Sequence, residues 1–156
     1  MESELPDEYD RSPETFHFLL RLLPSQEAIG TVRVYPLKHP DTPTDTGTQK
    51  EDAHGSAAAY PTFALGRLCV LEQYRKYKFG HKLVQQAHSF IRNRLLASRA
   101  HARDSSSESN EILGEFIIHA QVQVKGFYLK NGYTPFGDIF DEDGMDHQLM
   151  RYWILE

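Results

Sequence analysis

The stretch Tyr74-Arg75-Lys76-Tyr77-Lys78-Phe79-Gly80-His81-Lys82-Leu83 organises the rest of this chain, and its residues 74–82 are called the basic turn below. The apolar run Leu68-Cys69-Val70-Leu71 comes just before it, and apolar residues recur every four positions after it. These patterns predict a strand, a turn and then an amphipathic helix. Backbone N–H groups at a helix start are unpaired, and the helix dipole favours negative charge there. The arrangement is therefore typical of a phosphate-binding turn.

The side chains of the basic turn suit an anionic ligand. Gly80 permits close approach of the backbone or a positive φ. Arg75 can bind two phosphate oxygens at once, whereas Lys76, Lys78 and Lys82 act as point charges. A solvated basic loop is the alternative reading. The strand before the turn and the helix after it make that alternative less favoured.

Composition limits the classes of protein to consider. The 156 residues fit one domain, and a net charge of -5 argues against broad nucleic-acid binding. The single cysteine, Cys69, excludes an intramolecular disulfide and a cysteine-built metal site. No apolar run approaches the roughly 20 residues that cross a bilayer, and the N-terminus lacks the apolar segment of a secretory signal. We expect an intracellular protein, in the cytoplasm or nucleus, without membrane contact.

The remaining patterns predict the element order. Strands are expected over residues 16–23, 28–37, 63–71, 112–120, 133–140 and 147–154, with a long helix after the basic turn and a short one over 122–130. This order indicates the α+β class, with a mixed, mostly antiparallel central sheet flanked by helices. Residues 1–14 are expected to form a flexible acidic tail. Residues 15–156 are expected to form one domain, with mobile loops at about 39–60 and 100–110.

A second segment, Phe127-Tyr128-Leu129-Lys130-Asn131-Gly132-Tyr133, offers an acid. A tyrosine hydroxyl has a reference pKa of about 10, above that of a thiol, so it is protonated at neutral pH and can donate to a departing thiolate. The alternative is a tyrosine that only packs the short helix against the sheet. Spacing alone favours that alternative.

Together the two segments resemble the GNAT superfamily of acetyl-CoA-dependent N-acetyltransferases. Residues 75–80 are similar to its Arg-x-x-Gly-x-Gly/Ala signature, with Lys78 in the place of the first glycine. Residues 127–133 are similar to its Phe-Tyr-x-x-x-Gly-Phe/Tyr signature. Residues 66–70, Ala120-Gln121 and residues 141–147 resemble the ElaA-like branch in particular. The resemblance covers roughly residues 15–153.

The resemblance implies an enzyme that binds acetyl-CoA as acetyl donor and needs no metal. A primary amine would attack the thioester directly, and Tyr128 would be the general acid toward the thiolate. Backbone amides of Leu68, Cys69 and Val70 would hold the acetyl and pantetheine arm. The pyrophosphate would lie on the amides of eight residues of the basic turn, which are Arg75, Lys76, Tyr77, Lys78, Phe79, Gly80, His81 and Lys82.

Two features of the chain leave alternatives open. Family members usually carry a strand and one or two helices before the first hairpin, and we expect this block to be missing, because only about fourteen residues precede the first predicted strand. The chain could then be truncated, a gene-model variant, or a protein whose acceptor site is open or completed by a partner. A catalytically weak or inactive acyl-CoA-binding domain is the alternative function. A homodimer through an exposed last strand is a further expectation, by analogy of fold.

The acceptor side offers four candidates for the base that removes the amine proton. They are Glu115, His119, Glu142 and His147, two of them from the residue type that titrates nearest neutrality. Each is equally consistent with a structural or solvated role. The acidic run Asp141-Glu142-Asp143 could attract a cationic amine or could be a solvated hairpin turn.

Overall fold

The computed structural model describes residues 6–37, 60–100 and 111–156. Its strands are β1 (Phe16–Arg21), β2 (Ala28–Pro36), β3 (Thr62–Val70), β4 (Ile112–Gln121), β5 (Thr134–Glu142) and β6 (Met145–Leu155). Its helices are α1 (Phe79–Ala100) and α2 (Lys125–Lys130), with 3₁₀ helices at Glu8–Arg11, Glu72–Tyr77 and Val122–Val124. Each strand lies within two residues of its predicted bounds. The two predicted loops, apart from Tyr60 and Ala100, lie outside the described residues.

The six strands form one sheet in the order β1-β2-β3-β4-β6-β5. Only β3 and β4 run parallel, and the other neighbours are antiparallel. The predicted mixed, mostly antiparallel sheet is confirmed. The expectation of an exposed last strand is wrong, because β6 lies between β4 and β5 and both of its edges are paired.

The parallel strands β3 and β4 separate before they end. Pairing is confined to Thr62, Ala64 and the residue between them, opposite the segment from Glu115 to Ile117. Farther along β3, Arg67 has a φ of 49°, and the pairing of β3 with β2 changes register there. Such a bulge bends a strand and increases its twist. The carboxyl ends of β3 and β4 therefore diverge and leave a gap in the sheet.

Helix α1 covers one face of the sheet. Its buried residues Leu83, Ala87 and Ile91 follow the predicted four-residue repeat, and Val84 and His88 next to them are buried as well. The four apolar residues pack in a core with Val32, Val34, Phe116, Met150 and others from the inner strands, and side chains of α2 pack against the same core. Both helices therefore lie on one side of the sheet. No helix in the described part of the chain is long and apolar enough to cross a membrane.

The expected flexible tail is wrong for residues 7–11. The Asp7 carboxylate accepts hydrogen bonds from the Tyr9 and Asp10 amides and caps a 3₁₀ helix. Arg33 Nη1 lies 2.8 Å from an Asp7 carboxylate oxygen and 2.6 Å from one of Asp10, and the Arg33 side chain is only 6% exposed. A buried guanidinium requires charged partners. The acidic segment supplies them and is ordered as a result.

Candidate active site

A groove of about 750 Å³ lies beside the carboxyl end of β3 and the start of α1, a volume within the usual range for small-molecule sites. Eight of the residues predicted for the site line it, namely Leu68, Cys69, Val70, Arg75, Lys78, Gly80, His81 and Tyr128. Val124, Phe127, Lys130 and Asn131, from the α2 region, complete the lining. The structure thus brings both sequence motifs to one groove.

Four predicted residues do not line this groove: Lys76, Tyr77, Phe79 and Lys82. Tyr77 is 64% exposed, and its ring packs against the ring of Phe79 with centroids 5.9 Å apart. The Lys82 ammonium lies 5.6 Å from the centroid of the same ring. The Tyr77 ring and the Lys82 ammonium therefore both lie against the Phe79 ring. The prediction for these residues concerned their backbone amides, so the directions of their side chains leave it a prediction.

The start of α1 presents unpaired amides close to the groove. Lys82 N donates to Lys78 O at 3.1 Å, so the Lys82 amide is already used within the helix. The amides of Phe79, Gly80 and His81 precede that first helical hydrogen bond and therefore have no intrahelical acceptor. The prediction that the Lys82 amide is available to a phosphate is wrong. A cradle built from helix-start amides is limited to the three residues before it.

Lys78 holds the unusual backbone conformation that joins the 3₁₀ turn to α1. Its φ of 59° and ψ of 23° are left-handed, a conformation that costs an L-residue about 1–2 kcal/mol and glycine almost nothing. Lys78 is the residue that replaces the first glycine of the motif. Gly80 has no positive φ, and a Cβ there would meet Phe127 at 3.4 Å, so Gly80 leaves room beside Phe127.

The groove has a positive lining. Arg75, Lys78 and Lys130 contribute cationic side chains to it, and none of the described residues that line it carries a carboxylate. Arg75 Nε also donates to Val70 O at 3.0 Å, which fixes the turn against the end of β3. The chain as a whole carries a net charge of -5, so this surface is a local reversal of sign that suits an anionic ligand.

Asn131 connects the two helices that border the groove. Its Nδ2 donates to Phe127 O at 2.9 Å, so its Oδ1 is the atom that faces His81 Nδ1, and that nitrogen donates to it. In the sequence, Asn131 before Gly132 is typical of a residue pair that ends a helix with a left-handed residue. Its φ is −95°, and the left-handed residue is Gly132, with φ 87°. A polar residue at the end of the second motif was the one available signal of this link.

Tyr128 is the candidate acid of the groove. Burial raises the pKa of its hydroxyl, so it carries its proton at neutral pH. Its ring meets the rings of Phe127 and Tyr133 edge to face, with centroids 5.1 and 5.6 Å away. Tyr128 packs into the core and lines the groove as well. The packing alternative and the functional one are compatible in the same side chain.

The contacts of the four candidate bases separate one of them from the other three. Glu115 receives a hydrogen bond from Thr62 Oγ1 at 2.9 Å, and its other oxygen lies 2.8 Å from Arg151 Nε. His119 Nδ1 lies 3.0 Å from one Glu142 oxygen, and His147 Nε2 lies 3.7 Å from the other. Glu115 is therefore occupied by structural partners, whereas His119, Glu142 and His147 form a cluster.

Comparison with known families matches this fold. The family model described as acetyltransferase (GNAT) domain covers residues 48–154, and the chain belongs to that family. One relative is the uncharacterized protein YyaT of Bacillus subtilis (strain 168), 30% identical over 125 residues. The match covers 80% of this chain and 66% of YyaT, so the chain spans about two thirds of that relative.

Solved structures share the fold at low sequence identity. Escherichia coli ElaA is 19% identical with a TM-score of 0.54, over 93% of this chain and 72% of that one. An aminoglycoside 6'-N-acetyltransferase complexed with coenzyme A is 15% identical with a TM-score of 0.56, over 92% of this chain and 75% of that one. These likenesses confirm the GNAT fold. The ElaA-like branch, the intracellular location, the homodimer and the absence of nucleic-acid binding stay predictions from the sequence.

Proposed function

We propose that this protein transfers the acetyl group of acetyl-CoA to a primary amine. The observation that carries the proposal is a half-buried Tyr128, protonated at neutral pH, in a groove whose other walls are the free end of β3 and the start of α1. One side of that groove carries cationic side chains, and the other side is the unpaired edge of β3. This combination suits a ligand with phosphates at one end and a thioester at the other.

The residues present fit acetyl-CoA. The amides of Phe79, Gly80 and His81 would receive the pyrophosphate, with Lys78, Arg75 and Lys130 adding positive charge. The edge of β3 that faces β4 is unpaired beyond Ala64, so the backbone of Leu68, Cys69 and Val70 is available to an extended amide-containing arm, except for Val70 O, which accepts from Arg75 Nε. Cys69 is exposed and lines the groove, and we assign it a packing role there.

Acetyl-CoA, when bound, supplies a thioester that an amine can attack directly. Tyr128 then has one task, which is to hold its proton until a thiolate departs and to donate it at that moment. Burial favours the neutral phenol over the phenolate and so keeps the proton in place. No covalent acyl-enzyme is required, because the nucleophile is the acceptor amine.

The test is Tyr128→Phe, with Tyr77→Phe as matched control, since Tyr77 is an exposed tyrosine outside the groove lining. We expect Tyr128→Phe to lower kcat about 100-fold, the usual lower size of a general-acid effect, with little change in the Kd of coenzyme A. Tyr77→Phe should behave as the wild type. Thiol release measures the rate and calorimetry measures the Kd. An unchanged kcat would remove Tyr128 as the acid.

A further inference from the structure

The cluster of His119, Glu142 and His147 lies at the carboxyl end of β4, on the sheet face opposite the helices. Phe116, Ile118 and Ala120 of β4 belong to the helix-side core, so the alternate residue His119 faces the other way. His147 is paired with Gln121, which shares that face with His119. Phe140 packs on both imidazoles, with centroid distances of 5.3 Å to His119 and 6.0 Å to His147.

Hydrogen-bond partners fix the state of His147. Its Nδ1 lies 2.9 Å from Met145 O, and since a carbonyl can only accept, Nδ1 carries the hydrogen. In the neutral ring, Nε2 therefore has a lone pair. Nε2 lies 3.7 Å from Glu142 Oε2, which is also an acceptor and too far away for a direct hydrogen bond. Two acceptors thus face each other across a space that an N–H donor can bridge.

Glu142 is held in place for this task by the second histidine. His119 Nδ1 lies 3.0 Å from Glu142 Oε1 and donates to it, which leaves Oε2 directed to His147. The His147 side chain is only 8% exposed, whereas those of His119 and Glu142 are 38% and 42% exposed. His147 therefore lies nearly buried at the bottom of the site, and the Glu142 carboxylate lies at its solvent-exposed side. We expect a small cation with N–H groups to contact both residues.

The cluster lies beside the gap between the carboxyl ends of β3 and β4, and the groove lies beside the end of β3. His119 is followed after two residues by the 3₁₀ helix Val122–Val124, and Val124 lines the groove. β3 and β4 have stopped pairing by this level of the sheet. Tyr128 packs with the helix-side core and the cluster faces the other side. A ligand in the gap is therefore approachable from both faces of the sheet.

We propose that His119, Glu142 and His147 bind the ammonium group of the acceptor and that His147 Nε2 takes its proton. The inference rests on the proposed acetyl transfer and names the acceptor class, which is a cationic primary amine. Among the other charged groups near the cluster, Asp141 and Asp146 pair across β5 and β6 next to His147 and favour a cationic ligand. The remaining charged neighbours are Asp143 in the turn and Lys125 of α2, whose ammonium donates to Gln148 Oε1.

The proton and bond balance is complete with the groups named. The ammonium loses one proton to His147 Nε2, and the imidazolium that forms is paired with the Glu142 carboxylate. The neutral nitrogen forms its bond to the acetyl carbon, the carbon–sulfur bond breaks, and Tyr128 gives its proton to the sulfur. The nitrogen, now part of the amide, loses its second proton to the Tyr128 phenolate. His147 releases its own proton to water.

The first test needs no turnover. The imidazole NMR resonances of His119 and His147 are followed while the protein is titrated with n-butylammonium, and then with n-butanol as the uncharged probe. We expect saturable shifts with n-butylammonium only, retained in Asp143→Asn and lost in Glu142→Gln. Asp143→Asn removes one acidic charge from the same turn and keeps a residue type that tolerates its φ of 55°. Equal shifts with n-butanol, or shifts that survive in Glu142→Gln, would overturn the ammonium site.

The second test is the pH profile of acetyl transfer to n-butylamine. His147→Asn keeps an N–H donor for Met145 O and removes Nε2, and His17→Asn on β1 is the matched exposed control. We expect His147→Asn to lose about 100-fold in kcat/KM near pH 7 and to recover as the amine becomes neutral by itself at high pH. The Kd of coenzyme A should stay at the wild-type value in both variants.

The outcomes separate this inference from the proposed function. If the wild type acetylates amines and His147→Asn follows it at every pH, the inference is overturned and the proposed function stands. A loss in His147→Asn that is the same at every pH, or that is matched by weaker coenzyme A binding, also overturns it. If the wild type acetylates no amine, the proposed function is overturned, and the NMR titration alone decides the ammonium site.

Discussion

The response of stability to acid should centre on His88, a residue of α1 enclosed by aromatic rings. Its imidazole stacks on Tyr152 with centroids 3.9 Å apart, and its Nε2 lies 2.8 Å from the Tyr133 hydroxyl. Burial, with a smaller contribution from His81, lowers the pKa of His88 from 6.5 to about 4. Burial raises the pKa of Tyr133 well above its usual value, so both partners of this hydrogen bond are neutral.

The sign and size of the effect follow from linkage. Between the unfolded pKa of 6.5 and the folded value of about 4, the unfolded chain binds more protons than the folded one. Stability therefore falls as pH falls through this window. Protonation of a single group with these two values removes about 2 kcal/mol of unfolding free energy between pH 7 and about pH 4.5. Asp7 and Asp10, whose pKa values the Arg33 hydrogen bond lowers below 3.8, act mainly at lower pH.

The assay is urea unfolding of the wild type, His88→Gln and His17→Gln at pH 7 and at about pH 4.5. Glutamine can still bond to the Tyr133 hydroxyl but does not titrate, and His17 is an exposed histidine on β1. We expect the drop of about 2 kcal/mol, roughly 1 M in urea midpoint, in the wild type and in His17→Gln. It should be absent from His88→Gln. A full drop in His88→Gln, or none in the wild type, would refute the assignment.

Three further predictions concern the groove and the N-terminal segment. Lys78→Gly should raise the melting temperature by about 1–4 °C relative to Lys78→Ala, because only glycine relieves the left-handed strain. Equal melting temperatures would contradict this. Both variants should bind coenzyme A more weakly than the wild type. Gly80→Asp should abolish coenzyme A binding in calorimetry and Gly80→Ala should retain it, since a Cβ fits beside Phe127 and a carboxylate repels phosphate. Arg33→Met should lower the urea midpoint more than Arg67→Met, because Arg33 is the buried partner of Asp7 and Arg67 is 39% exposed.

The fold was largely readable from local patterns. Apolar runs and, in two strands, period-two alternation located the sheet. The four-residue repeat from Leu83 onward located α1, because burial on one face imposes such periods. The position of β6 was not readable, since a strand's sequence does not state which edges it pairs. The register of β6 with both β4 and β5 corrected the expected dimer edge.

Site residues were predictable where a sequence motif also determines the local backbone structure. They were missed where the contact partner is distant in the sequence. The β3 end and the helix start were predicted, but the Asn131 link to His81 spans 50 residues. The acidic segment at residues 7–11 looked like a solvated tail by composition. Its partner Arg33 lies 26 residues from Asp7 and appears in the sequence only as one polar residue of an alternating strand.

The most direct test of acetyl transfer measures both products of one reaction. The wild-type protein is mixed with acetyl-CoA and a panel of primary amines, and free thiol and N-acetylated amine are quantified in the same samples. We expect equal amounts of the two products for at least one cationic amine, and neither product above background with the Gly80→Asp variant. Tight coenzyme A binding without turnover on any amine, or thiol release without acetylated amine, would contradict it.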